Sequence, residues 1–429
     1  MGSRTLNERI VQLVERRRDP TIHFLKELCS VPSYIDLEKK TGYELEAQNC
    51  VKDKLGGMGF DLQIFEPDPE ELKHFGTAYI PGFEYKNRPN VVGTLKGEGG
   101  GRSLILNGHV DVVTAEPSSA WKHDPFGGEI EGERMYGRGT ADMKGGITAM
   151  ISALDAILEA GAKLKGDVIF QSVVSEEDTN NGTLACVAKG HRADAAIVAE
   201  PTELGVHIGH PGSMHLNIKV KGKSGHQAMK YECINAIEKM TSIINIMNEI
   251  NQEWVKTKGM KYFPKPGINV GVIKGGESVY IVPEECSLEA LVDYLPNEID
   301  PDGRGGRVRQ QVEERVTEGL KNDPWLSNNY PVISWPFDWD PCVISEDAPI
   351  VKAMTAATER VLGRSGVGVL PSVCDLMHLV NRARIPSIAY GPGSIIQAHA
   401  IDEFISINQL IDATKVFALA ITEWCGLVE

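Results

Sequence analysis

Asp167-Val168-Ile169-Phe170-Gln171-Ser172-Val173-Val174-Ser175-Glu176-Glu177-Asp178 is the stretch whose reading decides the fold. The run 168–174 is nearly continuous in apolar residues and lacks the period-two alternation of a strand wetted on one face. It reads as a buried strand. The strand delivers Glu176 and Glu177 at its C-terminal end, and the arrangement recurs on either side of it. Residues 194–198 are apolar and lead into Ala199-Glu200-Pro201-Thr202, while 103–106 run straight into Asn107-Gly108-His109-Val110-Asp111. A helical stripe over 147–158, ending near Gly161, follows Asp142 in Gly137-Arg138-Gly139-Thr140-Ala141-Asp142-Met143-Lys144-Gly145-Gly146. Strands and helices that alternate in this way predict an α/β fold with a mostly parallel sheet covered on both faces. In such sheets ligands gather outside the carboxyl ends of the strands, which is where these acids and histidines fall.

Outward from that core, 5–29 reads as a helix pair interrupted by Pro20, 44–58 as a helix, 61–65 as a strand and 66–88 as an irregular excursion. Strands over 90–95 and 103–106 flank the glycine-rich turn 97–101 and are expected to be joined by a tight connection. From about 210 the texture changes. A period-two strand over 215–220, a helix over 233–250, strands over 268–273 and 287–292 and a helix over 307–320 predict a small inserted α+β domain, ferredoxin-like in element order. The expected organisation is a catalytic domain in two parts, 1–209 and 329–429, interrupted by an inserted domain over 210–328. The final part carries a helix over 348–362, a strand over 385–390, the turn Gly391-Pro392-Gly393, a loop holding His399, and a last helix over 406–424.

Composition narrows the functional classes. The 429 residues carry a net charge of −15, which argues against a nucleic-acid surface, because neutralising phosphates needs clustered Lys and Arg. Eight scattered cysteines without a Cys-x-x-Cys pair fit reduced thiols better than a disulfide framework. Residues 4–19 are charged throughout with no apolar h-region, and no run of about 18 apolar residues occurs. The expectation is a cytoplasmic protein with neither a nucleic-acid nor a membrane partner.

Imidazole and carboxylate ligands without thiolates suit a divalent cation, with Zn2+ the default for hydrolysis and Co2+ or Mn2+ the alternatives. Two histidines and three carboxylates are too many for one tetrahedral ion that must keep a position open. If Asp142 bridges, two ions each receive about three protein ligands. Glu176 and Glu177 leave their strand in opposite directions, so one can bind metal while the other reaches a water as general base.

Taken together, His109-x-Asp111, Gly137-Arg138-Gly139-x-x-Asp142-x-Lys144-Gly145-Gly146, Glu176-Glu177, Glu200-Pro201-Thr202, the inserted domain and the terminal Gly391-Pro392-Gly393 with Ala398-His399 resemble the acetylornithine deacetylase and succinyl-diaminopimelate desuccinylase family. These are dinuclear zinc amidohydrolases related to metallopeptidases. The resemblance implies that His109 and Glu200 hold one ion, Glu177 and His399 the other, and Asp142 bridges. It makes Glu176 the general base, places Asp111 behind His109, and implies a cis peptide after Asp142. His226, in Gly222-Lys223-Ser224-Gly225-His226, is the implied oxyanion donor, offered to the partner subunit of a homodimer formed through the inserted domain. Asn269 resembles another residue lining the shared site, and Gly391 and Gly393 are expected to shape the substrate pocket through their backbone.

One departure matters. Many relatives grip a substrate carboxylate with an Arg after the last lid strand and another in a Ser/Thr-Asp-x-Arg block. Here the first region reads Val292-Asp293-Tyr294-Leu295-Pro296, with no Arg, and Met377 follows Cys374-Asp375-Leu376 where the second Arg is expected. The expectation is therefore a deacylase for a small N-acyl amide, with an N-formyl or N-acetyl substrate lacking an α-carboxylate favoured. A dinuclear-zinc dipeptidase or carboxypeptidase is the alternative enzyme. A non-catalytic metal-binding dimer is the alternative of another class, and it would be expected to have lost a ligand or the base.

Overall fold

In the first unit, strands Asp61–Phe65 (β1), Asn90–Leu95 (β2), Leu104–His109 (β3), Val168–Val173 (β4), Ala195–Val198 (β5), Val206–His207 (β6), Val367–Gly368 (β7) and Ser387–Ala389 (β8) form one sheet. The computed structural model describes residues 3–301 and 303–428. Along the sheet the order is β7-β6-β8-β5-β3-β4-β2-β1. The central strands β4, β3, β5 and β8 are all parallel, and antiparallel pairs occur toward the edges. Register sets Asn107 of β3 beside both Gln171 of β4 and Val198 of β5, so these three strands end level with one another.

Successive residues of β3 show why both faces are covered. Asn107 donates its side-chain N–H to Thr183 of the helix Asn181–Ala188. Gly108 faces the other way, toward Ile147 of the helix Gly145–Glu159. The latter helix is buried on nearly every side, as its sequence Gly-Gly-Ile-Thr-Ala-Met-Ile-Ser-Ala-Leu requires, and packs against Ile407–Cys425 and Ser3–Arg16. A Cβ on Gly146 would stand 2.1 Å from the Ala199 carbonyl oxygen. Only glycine lets the start of this helix approach the end of β5 so closely.

Two sequence expectations change. Strands β2 and β3 are not neighbours, because β4 lies between them. The glycine-rich turn instead bonds to the segment leading into β4, with Glu98 N–H on Leu164 O and Gly99 N–H on Lys165 O. Pro20 also does not interrupt a helix. The helices Ser3–Arg16 and Arg18–Cys29 separate at Arg17, and Pro20 sits in the first turn of the second, where a missing N–H leaves no bond unmade.

The second unit runs from His210 to Cys342 and takes in Pro371–Val373. Its antiparallel sheet has the order Ile268–Gly275, Glu285–Tyr294, Gly212–Lys221, Val332–Ser334, with Asp338–Trp339 also pairing to Gly212–Lys221. Numbered along the chain, the four main strands stand in the order 2-3-1-4, which is the ferredoxin-like arrangement. Helices Ala236–Thr257 and Gly306–Leu320 bury Met240, Ile243, Met247, Val312 and Val316 against Leu216, Ile218, Leu288 and Ala290 on one sheet face.

Candidate metal centre

The level ends of β3, β4 and β5 bring three sets of polar side chains together. His109 is the last residue of β3, Glu176 and Glu177 follow β4, and Glu200 follows β5. Asp142 comes from the turn before Gly145–Glu159, and its peptide bond to Met143 is cis. His399 enters from the loop after β8. His109 Nε2 lies 3.2 Å from Asp142 Oδ1, and His399 Nε2 lies 3.7 Å from Asp142 Oδ2. Each carboxylate oxygen of Asp142 is thus turned to a different imidazole. Glu177 Oε2 is 2.8 Å from His399 Nε2, and Glu176 Oε2 is 3.8 Å from His109 Nε2.

The Asp111 carbonyl fixes the state of His109. His109 Nδ1 is 2.9 Å from that carbonyl oxygen, which can only accept, so Nδ1 carries the proton in the neutral ring and Nε2 presents a lone pair. The Asp111 carboxylate sits 3.7 Å from Nδ1 and accepts instead from the Glu177 backbone N–H at 2.9 Å. Asp111 therefore orients His109 through its main chain and the Glu176-Glu177 turn through its side chain.

This donor set fits a divalent cation. The buried His109 Nε2 and Glu200 Oε1 have no hydrogen-bond partner among the described residues. His109, Asp142 and Glu177 place ligand atoms within 4.8 Å of one another. Burial pushes the Glu176 and Glu200 carboxyls well above the usual carboxylate range and raises Glu177. The Asp142 charge adds to the rise at Glu177 and Glu200. Acids crowded in this way need positive charge beside them to ionise together.

The supporting groups were not visible as a set in the sequence. Ser175 takes a left-handed φ of 65° and bonds its hydroxyl to Asp178, which starts the turn that separates Glu176 from Glu177. Asp178 and Glu44 share the fully buried Arg88. Asn180 donates to Glu176 Oε1 at 2.9 Å and to Asp375 Oδ1 at 3.2 Å, and Thr183 donates to Asp375 Oδ2 at 2.7 Å. Burial pushes Asp375 up to about 6, with the Thr183 hydroxyl pulling the other way. The available signal was an isolated acid in the apolar run Val373-Cys374-Asp375-Leu376-Met377. Met377 itself is buried.

Gly391 and Gly393 lie beside this centre for a packing reason. A Cβ on Gly391 would stand 2.6 Å from the carbonyl oxygens of both Ala199 and Glu200. The Gly391 N–H donates to Thr202 Oγ1, and the Gly393 carbonyl accepts from Glu203 N–H. The turn pins the segment that carries Glu200. His226 and Asn269 belong to the second unit. His226 is exposed on the strand Gly225–His226, where its Nδ1 accepts from Ala228 N–H, and Asn269 is exposed on Ile268–Gly275.

An α/β unit with carboxylates and histidines at its strand ends, joined to a ferredoxin-like unit, defines a class of metal-dependent hydrolases. The sequence signature of Peptidase family M20/M25/M40 matches residues 105–423, and the chain belongs to that family. It is 36% identical over 371 residues to N-formyl-4-amino-5-aminomethyl-2-methylpyrimidine deformylase of Bacillus subtilis, covering 80% of this chain and 84% of the relative. It is 28% identical over 411 residues to acetylornithine deacetylase of Photorhabdus laumondii, covering 95% and 97%. Among solved structures, the dipeptidase Dug1p of Saccharomyces cerevisiae superposes with a TM-score of 0.74 at 14% identity, covering 98% of each chain. The Bacillus subtilis YXEP protein, a dinuclear metal-binding peptidase, does so with 0.63 at 16% identity, covering 96% of this chain and 99% of that one. The two structures share the fold, and the sequence relatives place the chain among hydrolases of amide bonds.

Proposed function

We propose that the chain is a metal-dependent deformylase that releases a primary amine from an N-formyl amide. His109 and Glu200 would hold one divalent cation, Glu177 and His399 a second, with Asp142 between them. The observation that carries the metal reading is Asp142, whose two oxygens face two different imidazoles. Support for the formyl group comes from the 36% identity to a deformylase, set beside 28% to a deacetylase of carboxylate-bearing acetylornithine. The stretch 292–296, which holds no arginine, and Met377, which stands where the second is expected, agree with a substrate that lacks a carboxylate.

Bound cations of this kind supply Lewis-acid polarisation of an amide carbonyl and acidify a water. Glu176 Oε1 is held by Asn180, which leaves Oε2 to take the proton of the attacking water and return it to the departing nitrogen. Zn2+ is the proposed ion. A homodimer through the second unit is part of this reading, supported by exposed Tyr231, Val279 and Tyr280 on that unit, and it would give His226 and Asn269 their roles at the substrate. A cytoplasmic setting fits eight cysteines that are all free, and no helix is long and apolar enough to cross a membrane.

The test is amine release from matched N-formyl, N-acetyl and N-succinyl amines and dipeptides by zinc-loaded protein, repeated after chelation. Chelator-sensitive release from the formyl series is the expected result. Turnover confined to dipeptides or acetyl amino acids would overturn the deformylase reading.

A further inference from the structure

A one-way chain of buried hydrogen bonds runs through the first unit from the interior of its sheet to Glu176. It starts where register sets Asn107 of β3 beside Gln171 of β4. Asn107 donates from its amide nitrogen to Gln171 Oε1 at 3.2 Å and to Thr183 Oγ1 at 2.9 Å. Having accepted there, the Thr183 hydroxyl has a single proton to give, and it goes to Asp375 Oδ2 at 2.7 Å. Asp375 Oδ1 accepts from Asn180 Nδ2 at 3.2 Å, and the same nitrogen donates to Glu176 Oε1 at 2.9 Å. Asn107, Thr183, Asn180 and Asp375 are all buried. Burial pushes Asp375 up to about 6, so at neutral pH and above it is a carboxylate and only accepts.

Asn180 forgoes the bond that its place in the chain offers. It stands at the N-cap of Asn181–Ala188, where an asparagine oxygen ordinarily accepts from an N–H of the first turn, yet it makes no side-chain capping bond among the described residues. Its amide nitrogen is spent on two acids instead. An amide set between two carboxylates has one tolerable orientation, with its N–H groups turned to both, because half a rotation would set its carbonyl oxygen against another acceptor. Glu176 alone does not enforce this. A base that has taken a proton can donate to that carbonyl, and it would then hold the proton on Oε1. Glu176 Oε2 is the oxygen on the side of His109, 3.8 Å from its Nε2.

We propose that Asp375 is a positioning residue for the base, keeping the Asn180 N–H turned to Glu176 Oε1 so that proton uptake is confined to Oε2. Thr183 and Asn107 set the direction of the chain from the other end. The proposal rests on Glu176 being the base of the reading above, and it adds the residue that decides which oxygen of that base works. Asp375 touches neither substrate nor cation in this scheme and acts only through Asn180.

A double-mutant cycle on zinc-loaded protein tests this, with Asp375→Ala and Asp375→Asn each made alone and together with Asn180→Gly. Asp375→Ala is expected to lower kcat by about 10- to 100-fold with KM and metal content little changed. Asp375→Asn keeps an acceptor for Asn180 when its own NH2 turns to the Thr183 oxygen, and should lose only about fivefold. In the Asn180→Gly background neither substitution should lower kcat by more than about twofold further. Side-chain amide NMR supplies a measurement that needs no turnover. The Asn180 amide protons, assigned by their loss in Asn180→Gly, should exchange with water at least about tenfold faster in Asp375→Ala than in wild type. Losses that multiply in the double variants, a rise in KM in place of the fall in kcat, or unchanged exchange overturns the proposal. If Asp375→Ala fails to fold by circular dichroism, the isosteric Asp375→Asn carries both measurements, and wild-type kcat or wild-type exchange in it has the same force. The two readings fail separately. Cleavage of acetyl amides or dipeptides alone, with the non-additive cycle, overturns the deformylase reading and leaves Asp375 in its role. Cleavage of formyl amides with multiplying losses does the reverse, and in a protein without turnover the exchange rates alone decide whether Asp375 holds Asn180.

Discussion

Arg138 and Glu403 form a buried pair that ties both ends of the metal centre together. Arg138 Nη1 donates to Glu403 Oε2 at 2.7 Å, and Glu403 Oε1 accepts from the backbone N–H groups of Ala141 and Asp142 at 2.9 and 3.2 Å. A second guanidinium nitrogen, Nη2, reaches the His399 carbonyl at 3.3 Å. Through these bonds one carboxylate fixes the main chain of Asp142 and, by way of Arg138, that of His399. Burial pushes Glu403 up to about 7 against the pull of Arg138. Truncating it leaves a buried guanidinium and two buried N–H groups without their partner. Glu403→Ala is expected to destabilise the first unit by about 3–5 kcal/mol and to lower bound metal per chain. Glu403→Gln keeps an acceptor for the N–H groups and should lose less. Urea unfolding with elemental analysis after gel filtration checks this, and full metal content with wild-type stability in Glu403→Ala would refute the coupling.

Glu176→Gln separates chemistry from metal binding. The amide keeps the shape that Asn180 grips but cannot take a proton from water. Metal content is expected to remain at the wild-type level while kcat falls by about 100- to 10,000-fold. Turnover near the wild-type rate would remove Glu176 from the role of base.

Much of this arrangement was legible because each polar residue follows a run that can only be a buried element. His109, Glu176, Glu177 and Glu200 come directly after apolar strands, and register then sets those strand ends level. What was hidden depended on contacts between distant segments. Asn180 and Asp375 are 195 positions apart with the whole second unit between them, so no local pattern could join them. Glu403 reads as an ordinary acidic loop residue in Asp402-Glu403-Phe404. The insertion of β4 between β2 and β3 was equally invisible, since a glycine-rich turn between two strands has the same sequence whether or not they pair.

The Asn180 amide should act on rate more than on substrate affinity. Asn180 has a φ of 57°, so Asn180→Gly keeps the backbone comfortable while deleting the donor to Glu176 Oε1. Glu176 then gains rotational freedom, and kcat is expected to fall by about 10- to 100-fold with KM and metal content little changed. An unchanged kcat would show that Glu176 is positioned without this bond.

Removing metal should expose the strain of the crowded acids. With Glu176, Glu177 and Glu200 all raised by burial and by neighbouring charge, the chelated protein keeps repulsion that bound cations offset. Saturating metal at about a thousandfold over Kd adds about 4 kcal/mol. For a unit of this size that corresponds to a melting temperature about 5–7 °C higher than after chelation. Calorimetry with and without chelator, then with Zn2+ restored, checks the shift. Identical melting curves would argue against a metal bound to the folded state.

His207 gives the fold a pH dependence separate from the metal centre. It sits on β6 with its ring against Gly205 and Gly368, and its buried Nδ1 has no hydrogen-bond partner among the described residues. Burial lowers it from 6.5 to about 4, so the folded chain holds the ring neutral where the unfolded chain would protonate it. Between those values the unfolded state binds the extra proton, and stability contributed by the neutral ring is present above pH 6.5 and lost as pH falls toward 4. The ring is partly exposed, so the loss is expected to be about 2 kcal/mol, below the full value of a wholly buried imidazole. Urea unfolding of chelated wild type and His207→Asn from pH 7.5 to 4 reads it out. The stability of wild type relative to the variant should shrink across that window, whereas parallel curves would show that His207 titrates alike in both states.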